Sequence, residues 1–297
     1  MSIRKTTWNR VPLIIRALIT GSLVFLVGTL VWSIVLGINM KVAPSIPWGA
    51  VVMMLFLWEY WRYLGGKGWP HSTAESRRLR LRVHEVSRNL WVWALTTGFL
   101  SVGSIVSLQL VYARFVRMPT EMVPDFSHYP FISVLAVLLT SAAVAGLTEE
   151  AGFRGYMQVP IERRYGPWTA SIVVGVLFCF WHFSHGIAHT VPRLPYYFAI
   201  SITYSVIAYL SNSLWPVVII HALGDVLEFL YVWWRGAPRA RPLLWQSGLD
   251  AAFCICLGLG VVLGLLAIGA FKKLAFVARS LRPSPELERI DSSAVTS

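Results

Sequence analysis

Two adjacent carboxylates, Glu149 and Glu150, and an arginine, Arg154, close an apolar run that begins near Phe131. Later apolar runs carry two more polar insertions: His182, and the pair His221 and Asp225. An ionisable side chain at membrane depth costs about 3 kcal/mol and by default marks a functional site. A carboxylate among histidines supports two chemistries. The carboxylate can take a proton from water and pass it to a leaving amine, with the histidines holding the water or donating to an oxyanion. Alternatively, two histidines and a carboxylate could ligate zinc, with water in the open position. The chain has no H-E-x-x-H segment, so the metal-free form ranks first: no cofactor is expected, and zinc is the alternative.

Spacing assigns roles within this set. Arg154 follows Glu150 by four residues, the separation of a favourable helical ion pair, which leaves Glu149 to face the cavity. No residue from Ser141 to Val159 breaks a helix. Pro160 predicts a kink or an irregular end there, and Tyr165-Gly166-Pro167 predicts the turn. Glu149 lies 17 residues before Gly166 and His182 lies 16 after it. In an antiparallel hairpin both then sit at one height, roughly 20–25 Å from the turn. His221 and Asp225, four apart, share a helix face. Asp225 is expected to orient His221 or to contact substrate or water, Gly224 to permit close helix approach, and Glu228 is a weaker candidate one turn on. His185 and His189 fall on the face of His182 but near a span end, where solvated histidines are ordinary.

The elements that must position these groups are membrane helices. Of 297 residues, 56% are hydrophobic and 13% charged, which excludes an ordinary soluble domain. Apolar runs of spanning length predict an all-α polytopic bundle of about eight transmembrane helices. The expected spans are Val11–Leu36, Ile46–Leu64, Leu90–Val111, a fourth from Tyr129, Pro167–Ile187, Leu194–Leu210, Leu214–Trp234 and Ala251–Phe271. The first is too long for a secretory signal and lacks a cleavage site, so it is read as an uncleaved span with Arg16 snorkelling. Four regions follow: 1–126, a three-span region with a basic loop; 127–235, the catalytic core; 236–271, the last span; and 272–297, a disordered tail. The three cysteines all lie in apolar runs and are read as packing residues.

The net charge is +12, and its distribution explains it. With eight spans, 18 of the 26 Lys and Arg residues fall on the side of the termini and seven on the other, with Arg16 inside the first span. The positive-inside rule then places both termini in the cytoplasm and removes any need for nucleic acid. The segment Arg77-Arg78-Leu79-Arg80-Leu81-Arg82 is expected on the surface against anionic headgroups. Glu59 and Arg62 read as a structural pair, and Trp48, Trp69, Trp91, Trp215 and Trp234 as interfacial anchors.

Glu149-Glu150-x-x-x-Arg154, Phe178-x-x-x-His182 and His221-x-x-x-Asp225, in this order on separate apolar helices, resemble the three signatures of the CAAX-processing and bacteriocin-processing (CPBP, or Abi) intramembrane endopeptidases. The resemblance covers about Tyr129 to Leu230. It implies a helical membrane protease, in the bacterial inner membrane, with a cavity open toward the cytoplasm. Glu149 corresponds to the catalytic glutamate, Glu150 to its motif partner, and His182 and His221 to the two active-site histidines. Asp225 stands where many members have Asn. The partners expected are the lipid bilayer and a membrane-associated or lipid-modified polypeptide substrate. The competing expectation is a non-catalytic immunity or scaffold protein of the same fold. A coupled transporter would show inverted repeats, and the sequence has none.

Overall fold

The computed structural model describes residue 8 and residues 10–119, 126–235 and 242–281. Helices carry the fold, with no strand among the described residues. In chain order they are α1 (Leu13–Val42), α2 (Trp48–Leu64), α3 (Ala74–Leu81), α4 (Arg88–Tyr112), α5 (Phe131–Glu150), α6 (Gln158–Tyr165), α7 (Pro167–Trp181), α8 (Leu194–Ser211), α9 (Trp215–Arg235) and α10 (Ala251–Ser280). Single turns at Ile187–Thr190 and Leu244–Ser247 are left unlabelled.

Seven helical stretches among the described residues are long and apolar enough to cross a membrane. The eighth expected span is α2, whose 17 residues sit at the lower end of spanning length. Leu257, Val261, Leu265 and Ile268 of α10 are exposed, apolar surface that lipid rather than water would cover. The protein is an integral multi-pass membrane bundle.

Connections alternate between two faces. At one, the Tyr156 hydroxyl donates to the Leu64 carbonyl at 2.8 Å and the Leu214 amide donates to the Arg82 carbonyl at 3.1 Å. At the other, the Ser133 hydroxyl donates to the Ser45 carbonyl at 2.8 Å and the Leu244 amide to the Arg114 carbonyl at 2.7 Å. Arg114, nearly wholly buried, also reaches Asp250, the N-cap of α10.

Several boundaries differ from expectation. The last helix continues through Ser280, so Lys272 and Lys273 are helical rather than the start of a tail. Residues 282–297, to which the rest of that tail belongs, lie outside the described residues, as do Arg4 and Lys5. The basic segment is only partly a surface feature. Arg77 is buried, donates to the carbonyls of Lys67 and Gly68, and lies over the Tyr63 ring. Arg82 is buried too, ion-paired with Glu162. Both turn inward because the loop after α2 and the end of α6 offer them acceptors. Glu59 and Arg62 pair at 2.6 Å, as their spacing predicts.

The largest departure lies in the helix carrying the paired glutamates. Pro160 does not end it: the helical run is continuous from Phe131 to Tyr165. The irregularity lies upstream, as a π-helical segment Ala151–Met157. A proline lacks an N–H and crowds the carbonyl four residues earlier, here that of Tyr156, and the wider turns of the π segment absorb this. Such segments gather at functional sites.

Candidate active site

Glu149 and Glu150 end α5, and their side chains diverge. Glu150 is fully buried, whereas the Glu149 side chain keeps 20% of its exposure. Arg154, also fully buried, donates from Nη1 to Glu150 Oε1 at 3.0 Å. Its Nη2 donates to the Ser201 hydroxyl on α8 at 2.9 Å. The pairing of Glu150 with Arg154, and the freedom of Glu149, therefore follow the four-residue spacing.

His221 arrives from α9. Its Nδ1 lies 2.7 Å from Glu150 Oε1. A carboxylate paired with arginine only accepts hydrogen bonds, so Nδ1 carries the proton and donates. The opposite nitrogen, Nε2, faces Asp225 Oδ2 at 3.6 Å and Glu149 Oε2 at 4.0 Å. Glu150 orients the imidazole, and the expectation that Asp225 does so is corrected: a fully buried carboxylate clamped by arginine is the better fixed acceptor. Asp225 instead shares the Nε2 side with Glu149. Glu228 is exposed one turn further along.

Two close helix contacts hold this geometry. A Cβ added to Gly146 would fall 2.9 Å from the Cβ of Ala222 and 3.1 Å from the Val218 carbonyl oxygen. Gly146 is one turn before Glu150, so α5 and α9 touch along the face that joins Glu150 to His221. Gly224, expected to permit this approach, has no atom within 4 Å of such a Cβ. Behind the site, α1 presses on α5 through Gly28, where a Cβ would lie 2.2 Å from the Thr148 methyl, and on the π segment through Gly21, 2.6 Å from the Gly152 carbonyl oxygen. The first span is thus a backing for the glutamate helix.

His182 follows the last residue of α7 and opens a short 3-10 turn, His182–His185. Its Nδ1 lies 2.7 Å from the Phe178 carbonyl, which only accepts, so Nδ1 donates. Its ring stacks on Tyr197 with centroids 3.8 Å apart. The buried Thr190 hydroxyl donates to the His182 carbonyl at 2.6 Å, closing the turn back on the histidine. The Phe178 ring lies 4.5 Å from the imidazole on one side and 4.9 Å from the Arg154 guanidinium on another. One aromatic ring therefore separates His182 from the arginine that fixes Glu150. His185 is exposed, at 5.8 Å from His182 between ring centroids.

Sequence reasoning missed Ser201, Tyr204, Thr190 and Tyr197. Tyr204 packs 5.5 Å from the His221 ring and 5.3 Å from the Arg154 guanidinium. Ser201, Tyr204 and Ser205 recur at helical spacing on the apolar α8, and that polar stripe was a usable signal. Thr190 and Tyr197 carry none. Among the described residues, no three His, Cys, Asp or Glu side chains are grouped so as to hold a metal ion.

The arrangement places a fixed imidazole, a partly exposed carboxylate and a second carboxylate side by side. At 4.0 Å, His221 Nε2 and Glu149 do not hydrogen-bond to each other, but both can reach one oxygen placed beside them. Residues 131–227 match the family described as type II CAAX prenyl endopeptidase Rce1-like. That stretch starts at the first residue of α5 and includes Glu149, Glu150, Arg154, His182, His221 and Asp225. No match occurs among curated proteins or solved structures. Residues 131–227 are thus similar to the Rce1-like family of CAAX-type endopeptidases, and that similarity supports a protease.

Proposed function

We propose that the protein is an intramembrane endopeptidase that hydrolyses a peptide bond of a membrane-associated or lipid-modified polypeptide. Glu149 accepts a proton from water as the water oxygen attacks the carbonyl carbon. The tetrahedral oxyanion is stabilised by His221 through Nε2–H once that nitrogen takes up a proton, its Nδ1–H staying on Glu150. His182, whose Nδ1–H is given to Phe178, holds the water as an acceptor at Nε2. Glu149 then passes its proton to the amide nitrogen, the C–N bond breaks, and a new carboxyl and a new amino terminus result. Glu150 and Arg154 do not touch the reacting atoms; they fix His221. Asp225 lies where it would accept a hydrogen bond from the attacking water or the substrate.

The observation that carries this reading is the division of labour between neighbouring glutamates. Glu150 is sealed and spent on Arg154 and His221, while Glu149 stays open beside His221 Nε2. The excess of Lys and Arg on the face of residues 62–88 and 154–164 supports a cytoplasmic location of that face and of both termini, in a bacterial inner membrane. Comparative membrane proteomics of wild type against Glu149→Gln tests the proposal. A membrane polypeptide that stays uncut only in the variant supports it; identical termini in both would favour a non-catalytic role through binding another membrane protein.

A further inference from the structure

A groove of about 580 Å³ opens where α1 begins, between α3 and α6. Arg80, Arg163 and Arg164 line it. None of the three has a carboxylate within ion-pair distance among the described residues, in contrast to Arg62, Arg78, Arg82, Arg114 and Arg154. The acid in the lining, Glu75, is already paired with Arg78 at 3.0 Å. Three arginines without a carboxylate partner thus line one concavity together with the apolar Leu13, Leu79, Val159 and Pro160.

Its position identifies the kind of ligand. Leu13 is the first residue of the first span, and the Arg80 carbonyl oxygen lies 3.1 Å from where a Cβ on Gly155 would stand. The groove is therefore at the level where the bundle leaves the apolar layer. None of its lining comes from α5, α7, α8 or α9, so it is separate from the site of Glu149, His221 and Asp225. Arginines together with apolar side chains at this level match a phosphate above the start of its acyl chains.

We propose that this groove is a binding site for the phosphate of an anionic membrane lipid, seated between Arg80, Arg163 and Arg164. Each arginine near the surface contributes a factor of about five to such binding. The site holds a lipid at the foot of the glutamate helix and does not depend on proteolysis.

The test uses the full chain reconstituted in bilayer discs of equal phosphatidylglycerol and phosphatidylcholine, with lipid retained after detergent extraction counted by native mass spectrometry. Wild type is expected to retain phosphatidylglycerol selectively. Arg163→Gln, an exposed change, should lower retention about fivefold, and Arg80→Gln/Arg163→Gln/Arg164→Gln on the order of 100-fold. Lys272→Gln/Lys273→Gln, on α10, should leave it unchanged. Undiminished retention in Arg163→Gln and the triple variant would overturn the proposal. So would equal loss in the lysine control, which would reduce the effect to general charge. Displacement of the lipid by inorganic phosphate at the same arginines, or selective capture of an acidic peptide instead of lipid, would also overturn it.

Discussion

The Nδ1 of His221 and the Oε1 of Glu150 meet at 2.7 Å across 71 residues of chain. This contact joins α9 to α5 and turns the other imidazole nitrogen toward Glu149. It depends on Arg154, which shares the same carboxylate oxygen.

Removing Arg154 strands a buried carboxylate. Arg154→Met is expected to cost about 3–5 kcal/mol, read as a large loss in thermal stability of the purified protein. Glu150→Gln/Arg154→Met should recover much of that stability, yet not cleavage, because the amide no longer fixes His221 in the same charge state. A single Arg154→Met variant as stable as wild type would contradict the assigned pairing.

Two glycines on facing helices should behave oppositely. Gly146→Val forces side-chain atoms against Ala222 and the Val218 carbonyl; such overpacking costs about 1–3 kcal/mol and would separate Glu150 from His221. Gly224→Ala meets open space and should leave both stability and cleavage near wild type. Parallel melting curves check the pair, and equal effects would contradict the helix contact.

The back of the site offers a third check. Gly28→Leu on α1 would drive a side chain into Thr148, whose methyl a bare Cβ would already approach to 2.2 Å. The expected outcome is a folded but destabilised protein with reduced cleavage, although Gly28 lies outside the matched residues 131–227. Gly37→Leu, with nothing within 4 Å, is the matched control, and melting curves read the difference.

Positioning of His182 can be tested without touching its ring. Thr190→Val removes the hydroxyl that donates to the His182 carbonyl and leaves that carbonyl short of a partner, at about 1–3 kcal/mol. Tyr197→Leu removes the stacked ring. Both should lower kcat more than they raise KM for the cleaved polypeptide, with Thr190→Ser restoring the rate. A pure KM effect would place these residues in substrate binding instead.

How much of this was legible follows from what each contact depends on. The Glu150–Arg154 pair is local, set by a four-residue helical spacing, and the sequence sufficed. The multi-span bundle was legible from the lengths of apolar runs. The partner of His221 was not, because choosing between Asp225 and Glu150 requires knowing which helices touch. Gly146 and Gly224 look alike in sequence, and only the facing helix separates them. Pro160 pointed to an irregularity at its own position, whereas the π segment lies upstream at Ala151–Met157, since strain from a missing N–H is relieved before the proline. The backing by α1 left no mark beyond Gly21 and Gly28, seven residues apart on a helix of high mean hydropathy.

The central claim is that Glu149 and His221 act on one tetrahedral intermediate, Glu149 through the attacking water and His221 through the oxyanion. Cleavage rates of the polypeptide found uncut in the Glu149→Gln membrane should be measured for Glu149→Gln, His221→Ala and their combination in folded protein. Residues that act as a unit are not additive, so each single change is predicted to lower the rate about 10²–10⁴-fold and the double change to be no worse. Losses that multiply, or a single variant near the wild-type rate, would contradict it.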